Sequence, residues 1–293
     1  VNRLDATTGS IAALRRATRE RLEAAGLLSP ALEADLLLSE VSGLERGSLF
    51  AWPERVLGTP QLAALESLVS RRLAGEPIAY LLGRREFWSL ELQVSPATLI
   101  PRPETETLVE QALLALPADA PLRVADLGTG SGAIAAALAR ERPRWTLIGI
   151  DESPAALAVA ATNARQLGLE NLHLVLGDWS ATMKPSSLDA ILANPPYVRT
   201  DDPHLAQGDL RFEPQAALVA GADGLDAIRA IIADASRCLV PGGLLAIEHG
   251  WDQGPEVCAL MQQQDLEKIE TLRDLAGQER VTRAHRRTSM PSS

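Results

Sequence analysis

Two periodicities divide the chain. Across residues 9 to 83 apolar positions recur at spacings of three and four in "SIAALRRATRERLEAAG", "SPALEADLLLSEVSG" and "TPQLAALESLVSRRLAG", which predicts short amphipathic helices. Each ends at a glycine, and the latter two open with a Ser-Pro or Thr-Pro start signal. On these residues alone, residues 1–83 read as a helical packing domain without chemistry of its own. "REFWSLELQVS", Arg84 to Ser95, instead alternates apolar and polar residues and predicts a strand or hairpin, read as a connection over 84–100.

From Leu122 the pattern becomes strand, helix, strand, within a domain predicted over 101–293. "LRVADLG", "WTLIGID", "LHLVLGD", "LDAILAN" and "GGLLAIEHG" are short buried-strand patterns, with helical patterns between the first three. Such alternation predicts a parallel sheet covered by helices on both faces. Ligands of these sheets bind beyond the carboxyl ends of the strands, near the switch in strand order. Gly128, Asp151, Asp178 and Asn194 each follow a predicted strand and fall in that zone. "EKIETLRD" and "ERVTRAH" are predicted to close the sheet as an antiparallel edge pair, and the tail after Arg286 to be loose.

Composition narrows the class. With 293 residues, 46% of them hydrophobic, the chain can bury a large core. No apolar run is long enough to span a membrane and no signal-peptide zones are evident, so a cytoplasmic protein is expected. Cys238 and Cys258 read as reduced core residues, and the four histidines show no metal-ligand spacing, so no metal is expected. The net charge of -10 falls entirely on residues 91 to 293, which argues against a nucleic-acid partner, since such proteins normally show a basic face.

"DLGTGSGAIAAALAR" sets Gly128, Thr129, Gly130, Ser131 and Gly132 between a strand and a helix. Glycines there allow a sharp turn and let a ligand approach the main chain and helix N-terminus. The loop fits both a dinucleotide and S-adenosylmethionine. Asp151 is placed to accept ribose hydroxyls, Asp178 to receive an adenine amino group, and Trp179 to cover the ring. For Asp126, ligand contact and a structural role holding the loop stand equally open.

"ILANPPYV" ends the fourth strand in a stiff loop of acceptors, since neither Pro195 nor Pro196 has an N–H to donate. The Asn194 side-chain oxygen and the Pro195 carbonyl can accept two N–H groups, and Tyr197 adds a flat apolar face with a polar end. A planar NH2 group is the ligand that needs this. Its delocalised lone pair is poorly nucleophilic, and accepting both hydrogens aims that pair at an electrophilic methyl.

"DLGTGSGAIA", "GDW", "NPPYV", "QGDLRFEP" and "IEHGW", with the junction "GEPIAYLLGRREFWSLELQVSPATLIPRPETETLVE", resemble the HemK/PrmC family of glutamine-N5 methyltransferases, which modify class-1 peptide chain release factors. The resemblance implies an α/β fold of the class I (Rossmann-like) S-adenosylmethionine-dependent kind, with a seven-stranded mostly parallel sheet and a small helical N-terminal domain that docks the substrate. It implies that the acceptor is the glutamine of a Gly-Gly-Gln loop. Gly128 to Gly132, Asp151, Asp178, Trp179 and Asn194 would bind the cofactor, and Asn194, Pro195, Pro196 and Tyr197 would grip the glutamine amide. Arg102, Pro103, Glu104 and Glu106 would line the substrate entrance. A monomer is expected.

Three other classes compete. A nucleic-acid amino methyltransferase could use Asn-Pro-Pro-Tyr on a flipped adenine or guanine, but would need a basic channel. An NAD-linked oxidoreductase is permitted by the glycine loop, yet no proton-transfer residue stands in a recognisable setting. A non-catalytic docking module would have no need to keep every chemically useful position.

Overall fold

The computed structural model describes residues 9–288. Residues 289–293, the end of the tail expected to be loose, lie outside the described residues. The chain divides into two units at the Gly83–Arg84 step.

In the first unit the three predicted helices form as α1 (Ile11–Ala24), α2 (Pro30–Ser42) and α4 (Thr59–Leu73). Two further helices, α3 (Arg46–Ala51) and α5 (Ile78–Leu82), are too short to show a period. Ser10 caps α1 by accepting the Ala13 N–H. In α4 the cap is Gly58 rather than Thr59. The Gln61 side chain accepts the Gly58 N–H at 3.0 Å, which places Thr59 and Pro60 inside the first turn. Leu14, Leu37, Leu38, Leu65 and Val69 make the core. A buried ion pair, Arg72 to Glu33 at 2.7 Å, ties α4 to α2.

The second unit opens with the hairpin of β1 (Arg84–Phe87) and β2 (Leu90–Gln93). It is built into this unit rather than standing as a free spacer. The Gln93 N–H donates to Asn163 Oδ1 at 2.7 Å, and Asn163 Nδ2 donates back to the Gln93 carbonyl at 3.0 Å. Asn163 lies on α8 (Pro154–Leu167), which Ser153 caps through the Ala156 N–H.

The sheet has seven strands. β3 (Arg123–Leu127), β4 (Thr146–Asp151), β5 (Leu172–Leu176), β6 (Leu188–Ala193) and β7 (Leu239–Glu248) run parallel. β8 (Leu266–Arg273) and β9 (Glu279–Arg286) are the antiparallel pair at one edge, and the order is β5-β4-β3-β6-β7-β9-β8. This is the seven-stranded, mostly parallel sheet that the resemblance implied. Alternate residues of each strand face opposite layers, as the two-residue period requires. Val124, Leu192 and Leu244 pack with α6 (Glu106–Ala115) and α7 (Ala133–Glu141). Ala125, Ile191 and Leu245 pack with α9 (Asp226–Cys238) and α10 (Gly254–Gln262). No helix among the described residues is long and apolar enough to cross a membrane.

Candidate active site

The chain runs outward from β3 to β4 to β5, then returns to place β6 on the other side of β3. β3 is therefore the switch point, and a crevice opens beyond its carboxyl end. Leu127 is in register with Ile150 on one side and Ala193 on the other, so three loops leave the sheet side by side. The pocket they enclose is lined by Gly128, Thr129, Gly130 and Ser131 from the first loop, Asp151, Asp178 and Trp179 from the next two, and Asn194 and Pro196 from the last.

The glycine loop is a cradle that side chains would fill. Gly128 has φ 71°, and a Cβ there would come within 3.2 Å of the Trp179 ring. Gly132, at φ 82°, caps α7 and would meet Ala160 on α8 at 3.2 Å, so its role is close packing below the pocket wall. The N–H groups of Gly128 and Thr129 donate to the Ile150 carbonyl at 2.8 and 2.9 Å, while Gly130 donates to Asp151 Oδ2 at 2.9 Å. Asp151 Oδ1 accepts the Ser153 N–H at 2.9 Å. Both oxygens keep spare lone pairs towards the pocket, as a carboxylate reading a diol needs. Asp178 is exposed at the pocket rim, and Trp179 is held at φ 44°, a conformation uncommon for a bulky residue.

Asp126 is decided by the structure. It is fully buried, with Oδ2 accepting from Thr129 Oγ1 at 2.6 Å and the Ala135 N–H at 3.2 Å, and does not line the pocket. It holds the loop to the start of α7. Burial pushes its carboxyl up to about 6, against the pull of those two donors.

At the end of β6, Asn194 Nδ2 donates to Thr105 Oγ1 at 2.9 Å, while Asn194 Oδ1 is buried without a hydrogen-bond partner. An unpaired buried acceptor on a pocket-lining residue calls for a partner that the protein itself does not supply. Pro195 is buried, and Pro196 lines the pocket. Tyr197 departs from its expected place as a face for the NH2 group. Its ring packs against the α9/α10 layer, its hydroxyl donates to Glu248 Oε1 at 3.4 Å, and it does not line the pocket. Burial raises the Tyr197 hydroxyl and pushes the Glu248 carboxyl up to about 7. The Tyr197 carbonyl is held by Gln253 Nε2 at 3.1 Å, and Gln253 Oε1 accepts the Gly250 N–H at 2.8 Å.

Of the predicted entrance residues only Arg102 lines the pocket. Pro103 is exposed in a turn outside it. Glu106, at the start of α6, accepts the Trp88 N–H at 2.8 Å and so serves the hairpin. Glu104 lies where its charge raises Glu248, beside the pocket rather than in its lining. Thr105, between the two acids, is the residue of this turn that reaches Asn194. Glu213 was also not foreseen. Its fully buried carboxylate accepts the Ile100 N–H at 3.0 Å and pairs with Arg102, which anchors the segment carrying Pro214, Ala216 and Ala217 along the pocket.

Comparison with known proteins adds two family matches. Residues 13–83 match the PrmC N-terminal domain, and residues 118–286 match a methyltransferase domain. A release factor glutamine methyltransferase of Coxiella burnetii is 50% identical over 258 residues, covering 88% of this chain and 92% of its own. Its namesake in Escherichia coli K12 is 48% identical over 254 residues, covering 87% and 91%. Among solved structures, the Thermus thermophilus 16S rRNA N2 G1207 methyltransferase, in complex with AdoMet and guanosine, superimposes with TM-score 0.52 at 19% identity. It covers 70% of this chain and 50% of its own, and the likeness is one of fold.

Proposed function

The chain belongs to the release factor glutamine methyltransferase family, and from that premise we propose that it transfers a methyl group from S-adenosylmethionine to the side-chain amide nitrogen (N5) of the Gly-Gly-Gln glutamine in class-1 peptide chain release factors. The single observation that carries the site assignment is the buried, unpaired Asn194 Oδ1 at the pocket. It is an acceptor that nothing within the described residues satisfies, on a residue that lines the pocket.

The donor set fits the cofactor. Gly128 to Gly132 form a cradle in which a Cβ at Gly128 or Gly132 would be strained and tightly packed, Asp151 has lone pairs for ribose hydroxyls, and Trp179 closes over the loop. Asp178 at the rim would take the adenine amino group. When bound, S-adenosylmethionine would supply an electrophilic methyl carrying a thioether leaving group.

The protein's own part is orientation. Asn194 Oδ1 and the Pro195 carbonyl accept the two amide hydrogens, turning the nitrogen lone pair towards the methyl. Positioning of this kind can contribute about 7 to 11 kcal/mol in favourable cases. The same two dipoles stabilise the positive charge that grows on nitrogen. No general base is needed, because the methylated nitrogen is acidic and gives one proton to water. Pro196 forms the adjacent wall, and the half-buried Tyr197 holds the loop through Glu248 and Gln253.

The acidic charge of the catalytic unit weighs against a base in nucleic acid as the acceptor. Labelled methyl transfer measured side by side on a purified class-1 release factor, a structured RNA and a DNA duplex tests the choice. Incorporation into the release factor alone supports the proposal, and incorporation into nucleic acid alone overturns it.

A further inference from the structure

Asn194 can grip an amide only if its carboxamide is the right way round. With the oxygen inward it accepts an N–H, whereas with the nitrogen inward it would set a donor against the substrate's own donors. Nothing in the covalent structure of asparagine chooses between these, since the two ends are nearly the same size. The choice has to come from a neighbour that can bond one end and not the other.

Resting on the reading above, we propose that Thr105 is the positioning residue that sets this choice, with Glu248 behind it. Asn194 Nδ2 donates to Thr105 Oγ1 at 2.9 Å, across 89 residues of sequence, while Asn194 Oδ1 is buried and unpaired. Thr105 is 4% exposed and lines the pocket at the turn before α6, so no bulk water competes for its hydroxyl. A hydroxyl has one hydrogen and two lone pairs. To receive the Asn194 N–H reliably, Thr105 must direct its own hydrogen elsewhere.

Glu248 is the neighbour placed to take that hydrogen. The Thr105 hydroxyl neighbours this carboxylate and favours its ionised form. Glu248 Oε1 already takes the Tyr197 hydroxyl, and Oε2 is buried without an aligned donor of its own. As a carboxylate Glu248 can only accept, and because burial pushes its carboxyl up to about 7, the chain is fixed in this direction above that pH. It faces Tyr197 from the β6 loop, Arg280 from β9 and Glu104 from the turn that carries Thr105. Thr105 is thereby committed as a donor to Glu248 and as an acceptor to Asn194. The direction of the chain, from Asn194 nitrogen to Thr105 oxygen and from Thr105 hydrogen to Glu248, leaves the Asn194 oxygen for the substrate.

Thr105→Val keeps the shape of the side chain and removes the hydroxyl, while Thr105→Ser keeps the hydroxyl and removes the methyl. With a release factor as substrate, kcat of Thr105→Val falls about 10- to 100-fold, in line with the cost of misplacing a positioned group. The dissociation constant for S-adenosylmethionine stays within about twofold, and Thr105→Ser recovers most of the rate, because the cradle and Asp151 are untouched. Thr105→Val at the wild-type rate overturns the assignment, as does Thr105→Ser as slow as Thr105→Val. A second readout needs no turnover. Side-chain amide hydrogen exchange by nitrogen-15 NMR, with the Asn194 signal identified by its loss in Asn194→Ala, is slow in wild type and Thr105→Ser and fast in Thr105→Val. Equal exchange in all three overturns the role of Thr105 even if the wild-type chain methylates some other acceptor, whereas an inactive wild type with the exchange pattern intact refutes only the substrate.

Discussion

Leu127 and Ala193 are partners at the last shared rung of β3 and β6. The residue after each is Gly128 or Asn194, so the first glycine of the cradle and the amide-gripping asparagine leave the sheet side by side. Strands in a parallel pair lie about 4.8 Å apart. The sheet thus brings a methyl donor's cradle and an acceptor's clamp into one pocket without any loop having to fold over, and the consequences below follow from that arrangement.

Asn194→Ala removes the acceptor and leaves the glycine cradle and Asp151 unchanged. Methyl transfer is expected to fall about 10²- to 10³-fold, the range for losing one preorganised polar group. Calorimetric affinity for S-adenosylmethionine should change little. Parallel loss of both would count against a role confined to the acceptor amide.

Gly128→Ala places a Cβ 3.2 Å from the Trp179 ring at φ 71°. A left-handed conformation costs a non-glycine residue about 1 to 2 kcal/mol, and the ring must also shift. Cofactor affinity is expected to weaken about tenfold or more, with the far-ultraviolet circular dichroism of the wild type retained. Unchanged affinity would show that the loop does not hold the cofactor.

Asp126 gives a pH dependence of stability whose sign is fixed by its environment. Burial raises its folded-state carboxyl to about 6 from the ordinary 3.8. The native state therefore binds the extra proton between those values, and its stabilising contribution is complete below about 4 and lost as pH rises through about 6. A difference of that size corresponds to about 3 kcal/mol. Asp126→Asn, which cannot ionise, should lose less stability than wild type between pH 4 and 7 in denaturant titrations at each pH. Parallel curves would contradict the buried, raised carboxyl.

Glu213 and Arg102 are unequal partners. The Glu213 side chain is fully buried and also serves the Ile100 N–H, while Arg102 is 30% exposed. Removing Glu213 leaves a partly buried cation and a buried N–H unpaired, whereas removing Arg102 leaves Glu213 one remaining donor. Breaking a buried pair from the more buried side costs about 3 to 5 kcal/mol. Glu213→Ala is expected to be the more destabilising of the two by thermal denaturation and to raise KM for both substrates more. The reverse order would mean that Arg102 acts mainly on the ligand.

The sheet was legible because β3, β4, β5 and β6 are apolar runs that lead to Gly128, Asp151, Asp178 and Asn194, and each of these residues marks a pocket loop. Thr105 was hidden for the opposite reason. In Arg102-Pro103-Glu104-Thr105-Glu106 the charges draw attention, yet the middle residue alone meets Asn194, through a contact that no local pattern encodes. Tyr197 was misjudged because sequence gives a ring and a hydroxyl but not their direction, which Glu248 sets from the end of β7. The turns over 203–217 carry no periodicity, so the latch between Glu213 and Arg102 could be seen only in three dimensions.

The most direct test is mass spectrometry of a purified class-1 release factor after incubation with this protein and S-adenosylmethionine, with fragmentation across the Gly-Gly-Gln loop. One added methyl on the side chain of that glutamine, absent when Asn194→Ala replaces the wild type, is the predicted result. A methyl on any other residue, or none while the cofactor still binds, would contradict the account.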